Sequence, residues 1–502
     1  MNHPRISVTR RRLLRSAGLL AGAFALAACD TAPTTTGGGP SGTQGRSQRK
    51  SGSGTGGSGP LRWWDQFNPL QELHRKVFES FTADGGPSVE HTVYNPNEQG
   101  QALQLAFNSG QLPDVFTLAG VGVPPAALLA QGWFSPLPNG DAIQKALPEG
   151  SIVPGLHTFD GKLYSFPIFS FRQYETLVWF NRSIVEKAGL DPDNPPTSWD
   201  DLRAAARAVK RSGTAGLILP LKFPERMATF VLELAQTAGF RGSRGAGTEG
   251  VDLTTGEYRY HDDAFVEAIE FLLAFQKDGL LFSASTSLDA RSGRARWAAG
   301  DAGIFLDGPW CAGVVANDFA SFLPRLGVGP IPTPDGGAPA LTRPPTGGTF
   351  WVSGQSDQVD QAAALLERLV QDDYQRGLAE AMDQPPIDLE VVAGSGAHET
   401  YKRCVEMFST QVFLGPTPQA RDDKVTQVVA AMTPVEPGLG AIIQGAFSGD
   451  VDDVRGALRK LSDGLTKARD AAIAKVGGIS VDTWAFPDWK AGEDYGPERY
   501  TQ

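Results

Sequence analysis

Short apolar runs alternate with amphipathic segments along the chain from Leu61 onward. The runs that predict strands are LRWWDQF (61–67), VEHTVYN (89–95), DVFTLAG (114–120), ETLVWFN (175–181) and AGLILPLKF (215–223). The segments that predict helices between them are 69–81, 98–107 and 200–210. This alternation is typical of an α/β fold whose parallel sheets are covered by helices, and ligands then bind beyond the carboxyl ends of the strands.

Further helical faces and one helix start can be read from the same pattern. Apolar residues recur at helical spacing at Phe265, Ile269, Leu272 and Leu273, and again at Val454, Leu458, Leu461 and Leu465. Ser198 and Asp201 lie three residues apart, which is the spacing of a helix N-cap. The chain from Leu61 far exceeds the size of one hydrophobic core, so we expect two lobes.

The N-terminus carries the pattern of an export signal rather than of a membrane span. Residues 16–28 form a charge-free run that is too short to cross a bilayer, which takes about 20 apolar residues. Arg10 and Arg11 resemble a twin-arginine signal, and LAAC (26–29) resembles a lipobox in which Cys29 is acylated. The sequence therefore predicts a signal over 1–28, a lipid anchor at Cys29 and a location on the outer face of the bacterial cell membrane. A plain secretory signal with a coincidental Cys29 is the alternative.

Residues 29–60 are rich in Thr, Gly, Ser and Pro, which predicts a flexible linker. Residues 1–28 hold five arginines and no acidic residue, so the chain from Cys29 has 40 basic and 56 acidic residues and a net charge of −16. An acidic chain lacks the basic footprint of a nucleic-acid-binding protein. We expect no nucleic-acid partner.

Signatures of metal, cofactor or catalytic chemistry are weak. Cys311 and Cys404 could pair or remain buried thiols, and the Cys and His residues lack metal-site spacing, so we expect no metal and no cofactor. The segment GAGTEG (245–250) fits G-x-G-x-x-G, but its neighbours do not predict a strand and a helix, so we interpret it as a loop. The sequence lacks the usual nucleophile and metalloprotease motifs, and we expect a protein that is not an enzyme.

Aromatic residues follow several predicted strands beside polar residues or glycine. Trp63 and Trp64 precede Asp65, Trp310 follows the run AGIFLDGP, and Trp351 follows a glycine pair. Aromatic rings pack on the C–H faces of sugars, and hydroxyl groups bond carboxylates, amides and guanidinium groups at about 1.5–3 kcal/mol each when the partner is charged. This combination favours a neutral sugar as the ligand.

The chain resembles the solute-binding proteins of ABC sugar importers, in particular the maltose-binding group. The segments that carry the resemblance are GQLPDVFTLAG (110–120), DGKLYSFPI (160–168), LVWFNRSIVEKAGLDPDNPPTSWDDL (177–202), WAAGDAGIFLDGPW (297–310) and the Gly-rich strand from 345. The resemblance implies an α/β fold with two discontinuous lobes joined by hinge strands. Its implied ranges are 61–172 plus about 346–392 for lobe 1, 173–345 plus about 393–490 for lobe 2, and a tail over 491–502.

The resemblance and the aromatic pattern together give a set of candidate ligand-binding residues. These are Trp63, Trp64, Asp65, Asn97, Glu98, Arg172, Tyr174, Phe223, Glu225, Trp310, Gly347, Gly348 and Trp351. Structural alternatives stay open for some of them. Asn97 and Glu98 could only begin a helix, Arg172 could hold the hinge through a carboxylate, and Trp351 could belong to the core.

The function that this reading predicts is capture of a carbohydrate by hinge closure and its delivery to the transmembrane subunits of an ABC permease. The protein is expected to be a monomer tethered to the membrane by its lipid anchor. Two alternatives remain: the same fold with a polyamine, peptide or phosphodiester as ligand, and a secreted hydrolase acting on glycans, which would need paired carboxylates.

Overall fold

The computed structural model of the protein describes residues 59–245 and 247–501. The predicted signal (1–28), Cys29 and the linker as far as residue 58 lie outside these described residues. The strands are β1 Leu61–Asp65, β2 Val89–Val93, β3 Val115–Phe116, β4 Thr158–Phe159, β5 Lys162–Leu163, β6 Leu177–Asn181, β7 Ala215–Ile218, β8 Val251–Asp252, β9 Glu257–Tyr258, β10 Ala302–Asp307, β11 Leu326–Gly329, β12 Leu341–Arg343, β13 Trp351–Val352 and β14 Val412–Leu414.

Helices surround these strands, and within the described residues none is long and apolar enough to cross a membrane. The α-helices are α1 Gln71–Ala83, α2 Pro96–Asn108, α3 Pro125–Ala130, α4 Gly140–Ala146, α5 Arg182–Lys187, α6 Trp199–Arg211, α7 Pro224–Thr237, α8 Asp263–Lys277, α9 Ala290–Ala298, α10 Cys311–Asp318, α11 Val359–Glu367, α12 Asp372–Ala381, α13 Glu390–Ala393, α14 Glu399–Gln411, α15 Pro418–Arg421, α16 Lys424–Ala431, α17 Leu439–Ser448 and α18 Val454–Val476. Short 3-10 helices cover Asn68–Leu70, Ser285–Ser287, Leu323–Arg325, Arg368–Val370, Val481–Trp484 and Pro497–Thr501.

The first sheet has the strand order β13-β3-β1-β2. β1 runs parallel to both β2 and β3, and β13 adds an antiparallel edge strand from much later in the chain. Leu61 and Trp63 point from β1 into a core that also holds Phe78 and Phe350. This sheet and its helices form the first lobe.

The second sheet has the order β11-β6-β10-β7 and forms the centre of the second lobe. All five residues of β6 are buried, because helices cover both of its faces. β10 is parallel to β7 but antiparallel to β6, and β6 is antiparallel to β11 as well. The parallel pairing predicted from the strand–helix alternation is present between β1 and β2, β1 and β3, and β7 and β10, whereas β6 and β13 run antiparallel to their neighbours.

The predicted helices are present with small shifts of their ends, at α1, α2 and α6. Ser198 caps α6 as predicted, because its Oγ accepts a hydrogen bond from the backbone N–H of Asp201 at 2.9 Å. The predicted helical faces over 265–273 and 454–465 lie on α8 and α18. Residues 247–250 form a turn that leads into the β8–β9 hairpin, whereas a dinucleotide fingerprint needs a helix at this position.

Two details of the second lobe resolve alternatives that the sequence left open. Cys311 and Cys404 are separate buried thiols, and burial raises the pKa of each well above its usual value. Aromatic residues near the C-terminus pack into a small cluster of their own around Leu253, which includes Phe486, Trp489 and Tyr495. The end of the chain is thus held against the fold by apolar burial.

Replacing the cap of α6 should lower stability measurably. Ser198→Ala removes the acceptor for the Asp201 N–H, and an N-cap lost in this way costs about 1 kcal/mol of the free energy of unfolding. Urea denaturation followed by circular dichroism measures this difference. The control is Ser409→Ala, because Ser409 is exposed on α14 and bonds only the carbonyl of Glu406 in its own helix. Equal losses in the two variants would contradict the assigned cap.

Candidate functional site

A cavity of about 380 Å³ lies where strand ends of the two lobes face each other. Its first-lobe walls follow β1 and β2, and its second-lobe walls follow β7 and β10 or belong to α7 and α9. The lining residues are Gln66, Phe67, Asn68, Pro69, Pro96, Asn97, Glu175, Pro220, Phe223, Glu225, Arg226, Thr229, Arg244, Asp289, Ala290, Arg291, Arg294, Trp310, Val314, Asp383 and Gln384. The cavity thus lies beyond the carboxyl ends of parallel strands, where α/β folds bind ligands.

Asp307, the last residue of β10, organises the second-lobe wall of the cavity. Its carboxylate is fully buried, and Oδ2 accepts two hydrogen bonds from Arg294, at 2.8 Å from Nε and 2.5 Å from Nη2. Oδ1 accepts hydrogen bonds from Nη2 of Arg226 at 2.6 Å and from Nε1 of Trp310 at 3.0 Å. The half-buried Trp310 ring is therefore held by its indole nitrogen and by the guanidinium of Arg226, 5.3 Å from the ring centroid.

Glu175 and Glu233 neutralise the arginines beside this platform. Arg226 donates to Glu175 at 3.0 Å, Arg244 also bonds Glu175, and Arg343 lies 3.2 Å from Glu233. Burial raises the pKa of Glu175, but the positive charges of the neighbouring arginines outweigh burial and lower it to about 2. This wall of the cavity is consequently polar and oriented but close to charge-balanced.

Arg291 on α9 is a cleft arginine of a different kind. Its Nη2 donates a 2.7 Å hydrogen bond to the backbone carbonyl of Tyr94, which follows β2 in the first lobe. Within residues 59–245 and 247–501, it has no carboxylate at ion-pair distance, and burial lowers its pKa. Arg291 therefore brings to the cavity a positive charge that Asp289, Asp318 and Glu98 offset only from beyond ion-pair distance, and it bridges the two lobes.

Asp383 lines the cavity from the segment after α12. Burial raises the pKa of Asp383 to about 7; the hydrogen bond from the Gln384 backbone opposes this effect, and the charges of Asp65 and Arg294 add smaller effects of opposite sign. Near neutral pH this carboxyl group is present both with and without its proton. It can thus donate a hydrogen bond to a ligand oxygen or accept one from a hydroxyl group.

Some of the residues proposed from the sequence line this cavity. They are Asn97, Phe223, Glu225 and Trp310. Asn97 also lies in the first turn of α2, where its backbone N–H donates to the capping side chain of Asn95, so it both begins this helix and lines the cavity. Glu98 is exposed in the same turn but outside the cavity lining.

Trp63 and Asp65 lie behind the cavity wall instead of in it. Trp63 is fully buried in the first-lobe core, and its Nε1 donates to Oδ2 of Asp65 at 2.8 Å. Oδ1 of Asp65 accepts the backbone N–H of Phe67 at 3.0 Å. The Asp65 carboxylate is fully buried and already engaged, so the expected role as a hydroxyl acceptor is corrected to a structural one.

His74 and His91 complete the surroundings of Asp65. Nδ1 of His74 and Nε2 of His91 lie 3.1 Å and 2.9 Å from its Oδ2. Burial raises the pKa of Asp65, but the two histidines outweigh burial and hold it well below its usual range.

The other proposed residues also lie outside the cavity lining. The Trp64 ring packs against Tyr94, with 4.9 Å between centroids, and Trp351 is buried in the core 4.3 Å from Phe134. Tyr174 is fully buried, and its hydroxyl donates to Oε1 of Gln411 at 2.8 Å. Trp351 and Tyr174 belong to the hydrophobic cores of their lobes, and Trp64 packs partly buried against the first-lobe core.

Arg172 and the glycine pair have structural contacts as well. Nη2 of Arg172 donates to Asp494 at 2.6 Å, and its other nitrogen bonds the carbonyl of Val412, so it ties the C-terminal segment to the fold through a carboxylate. A Cβ on Gly348 would lie 2.3 Å from Oγ of Ser165, which explains a glycine there without a ligand. Gly347 is exposed, outside the cavity lining.

Several cavity residues were not proposed from the sequence. Gln66, Phe67 and Asn68 directly follow β1, so the rule that ligands bind at strand ends could have found them. Arg226 lies in the same turn as Phe223 and Glu225 and had the same signal. Arg291 and Asp383 lack a local signal, because the fold alone brings α9 and the segment after α12 to the cavity.

The raised pKa of Asp383 predicts a specific pH dependence of stability. In the folded protein the carboxyl keeps its proton up to a pH of about 7, whereas the unfolded chain releases it near pH 4. The free energy of unfolding of the native protein should therefore fall relative to that of Asp383→Asn between pH 4 and about 7, and then stay level. Urea denaturation at a series of pH values measures this difference.

The matched control is Asp360→Asn, because Asp360 is exposed in the first turn of α11. A difference between Asp383→Asn and the native protein that does not change with pH would contradict the assigned titration.

Comparison with known proteins agrees with this geometry. A family model described as bacterial extracellular solute-binding protein matches residues 76–408. The sn-glycerol-3-phosphate-binding periplasmic protein UgpB of Rhizobium meliloti is 24% identical over 369 residues, which cover 68% of this chain and 78% of that protein. The family model thus extends over both lobes and the cavity between them.

Solved structures share the fold at low sequence identity. An ABC transporter solute-binding protein from Thermotoga lettingae bound with alpha-D-tagatose has a TM-score of 0.62 and 20% identity, covering 82% of this chain and all of that one. Maltose-bound MalE3 of T. maritima has a TM-score of 0.60 and 16% identity, again covering 82% of this chain and 100% of that one. The predicted two-lobed α/β fold is confirmed. The chain belongs to the bacterial extracellular solute-binding proteins, which work with ABC permeases.

Proposed function

We propose that the protein captures a carbohydrate in the cavity between its lobes. The observation that carries this proposal is the Trp310 ring, which is half-buried at the cavity and held by Asp307 and Arg226. The rest of the lining offers amides and carboxyl groups as hydroxyl partners, among them Gln384 and Asp383. A volume of about 380 Å³ lies in the range of about 300–1,000 Å³ found for small-molecule sites.

Closure of the lobes supplies the selectivity of the proposed binding. Asn68 and Asn97 contact the cavity from the first lobe, and Phe223 and Trp310 contact it from the second. A solute that touches both walls stabilises the closed arrangement over the open one by its differential affinity. The hydrogen bond from Arg291 to the Tyr94 carbonyl is a direct link between lobes that helps to hold the closed state.

We further propose that the closed form delivers the solute to an ABC permease on the outer face of the cell membrane. The predicted signal over 1–28, the lipid anchor at Cys29 and the linker over 29–60 would tether a monomer there. Bond cleavage has no part in this proposal. The lobe ranges taken from the sequence, 61–172 plus 346–392 and 173–345 plus 393–490, remain part of the same proposal.

Trp310→Ala should weaken sugar binding without unfolding the protein. Loss of a central aromatic contact of this kind costs about 2 kcal/mol or more, which is roughly a 30-fold increase in Kd. The measurement is a thermal-shift screen of the protein against a sugar panel, followed by calorimetric titration of each hit. If Trp310→Ala bound the sugar with the wild-type Kd, the Trp310 ring would not be part of the binding site.

Trp199→Ala is the matched control for the loss of a tryptophan. Trp199 is half-buried on α6, where it stacks on Phe271 with 4.8 Å between centroids, and it is not part of the cavity lining. This variant should bind the sugar with an unchanged Kd. Sugar cleavage during the incubation would instead support the alternative of a glycan hydrolase.

A phosphorylated polyol is the second candidate ligand. Arg291 favours it, because this arginine brings to the cavity a positive charge without a carboxylate partner among the described residues. UgpB of R. meliloti is named as a glycerol-3-phosphate-binding protein. The other arginines of the cleft favour a neutral ligand, because Glu175, Glu233 and Asp307 already neutralise their charges.

Titration with sn-glycerol 3-phosphate and with glycerol separates the two candidates. If the phosphate group is bound, glycerol 3-phosphate should raise the melting temperature, glycerol should not, and Arg291→Gln should lose the effect. The control is Arg325→Gln, because Arg325 stacks on Phe322 away from the cavity lining. If neutral sugars raised the melting temperature and glycerol 3-phosphate did not, only the carbohydrate proposal would be supported.

A further inference from the structure

Three potential metal ligands meet in the first lobe, outside the solute cavity. Asp65 ends β1, His74 lies on α1 and His91 lies on β2. One ligand atom from each lies within 4.8 Å of the other two. Asp65 and His74 are fully buried, and the side chain of His91 is 16% exposed. We propose that this cluster is a binding site for a divalent transition-metal ion such as Zn²⁺, held by Oδ2 of Asp65, Nδ1 of His74 and Nε2 of His91.

The contact between His74 and Asp65 is the observation that points to an ion. Nδ1 of His74 is buried 3.1 Å from Oδ2 of Asp65, within ion-pair distance but not aligned for a hydrogen bond. Its other nitrogen, Nε2, lies 3.0 Å from the hydroxyl of Tyr374. A proton on Nδ1 faces the carboxylate, and a metal ion between the two atoms would replace that proton and be coordinated by both.

The donor set suits zinc. Two imidazole nitrogens and one carboxylate oxygen are ligands that Zn²⁺ accepts at about 2.0–2.2 Å, with a water molecule in the fourth position. Tetrahedral ligands at that radius lie roughly 3.3 Å apart. Distances of 2.9 Å and 3.1 Å from Oδ2 of Asp65 to the two histidines are close to this value. A shift of a few tenths of an ångström would admit the ion.

Neighbouring groups already orient the three ligands as a metal site requires. The rings of Tyr374 and His74 are parallel to within 4°, with 6.2 Å between centroids, and the Tyr374 hydroxyl lies 3.0 Å from Nε2 of His74. Trp63 donates to Oδ2 of Asp65 and the backbone of Phe67 donates to Oδ1. Such outer contacts position the ligands of metal sites and raise their affinity.

The exposed edge of His91 gives the ion a path from solvent. A surface groove lined by His91, Phe78, Ser88 and Val89 opens beside it. The groove provides room for the water that would complete the coordination. Because Phe67 lines the solute cavity and bonds Asp65, the ion would also stiffen the first-lobe wall of that cavity.

Zinc titration of the full chain tests the proposal. Protein without an affinity tag is treated with a chelator, dialysed and titrated with Zn²⁺ in a calorimeter. We expect one equivalent to bind and the melting temperature to rise with Zn²⁺ concentration. His91→Gln should weaken this binding at least tenfold. Binding below one equivalent, or a wild-type affinity in His91→Gln, would overturn the proposal.

A matched control and a second measurement protect the test. His261→Gln removes a partly buried histidine whose ring lies 3.2 Å from the Ser462 hydroxyl, away from the cluster, and it should bind Zn²⁺ as the wild type does. The unaltered protein is also titrated with Co²⁺, whose visible absorption reports nitrogen and oxygen ligands in a tetrahedral site. A Co²⁺ spectrum identical to that of the free aqueous ion would overturn the proposal even if His91→Gln failed to fold.

Discussion

The solute cavity depends on the buried carboxylate of Asp307. It is fully enclosed at the end of β10, and a buried charge is tolerated only when it is paired and hydrogen-bonded. Arg294 and Arg226 provide that pairing, and the indole of Trp310 uses the remaining acceptor capacity. Breaking a buried ion pair of this kind, by removing Arg294 or Arg226, costs about 3–5 kcal/mol. One set of contacts therefore stabilises the second lobe and orients the Trp310 ring at the cavity.

Charge compensation is the second organising feature of the cleft. Glu175 and Glu233 neutralise Arg244 and Arg343, which leaves a wall of oriented polar groups with little net charge. Arg291 and Asp383 depart from this balance, one through its missing carboxylate partner among the described residues and the other through its raised pKa. Arg291 can therefore pair with a negatively charged ligand group, and a ligand can shift the protonation of Asp383.

The first lobe also contains a buried carboxylate, that of Asp65, but different side chains stabilise it. Asp65 also ends a central strand and is also fully buried, but histidines and a tryptophan surround it instead of arginines. A histidine side chain, unlike an arginine, can lose its proton and coordinate a metal ion. Asp65 and its two histidines can therefore bind the proposed ion together. Because Phe67 bonds Asp65 and lines the cavity, the cluster and the solute site meet at the same strand exit.

The sequence alone determined the strand–helix alternation and the cap of α6, because these depend on short-range periodicity and local hydrogen bonds. Trp310 was found from the aromatic pattern and the family resemblance, and Phe223 and Glu225 from the resemblance alone. Only the tertiary structure determined which side chains at the strand ends line the cavity and which are buried in a core. Asp65 was proposed as a ligand contact because it ends a strand, yet its carboxyl group is buried against His74 of α1 and His91 of β2. Arg291, Asp383 and the Asp65 cluster come from segments distant along the chain, and only their packing against one another brings these groups together.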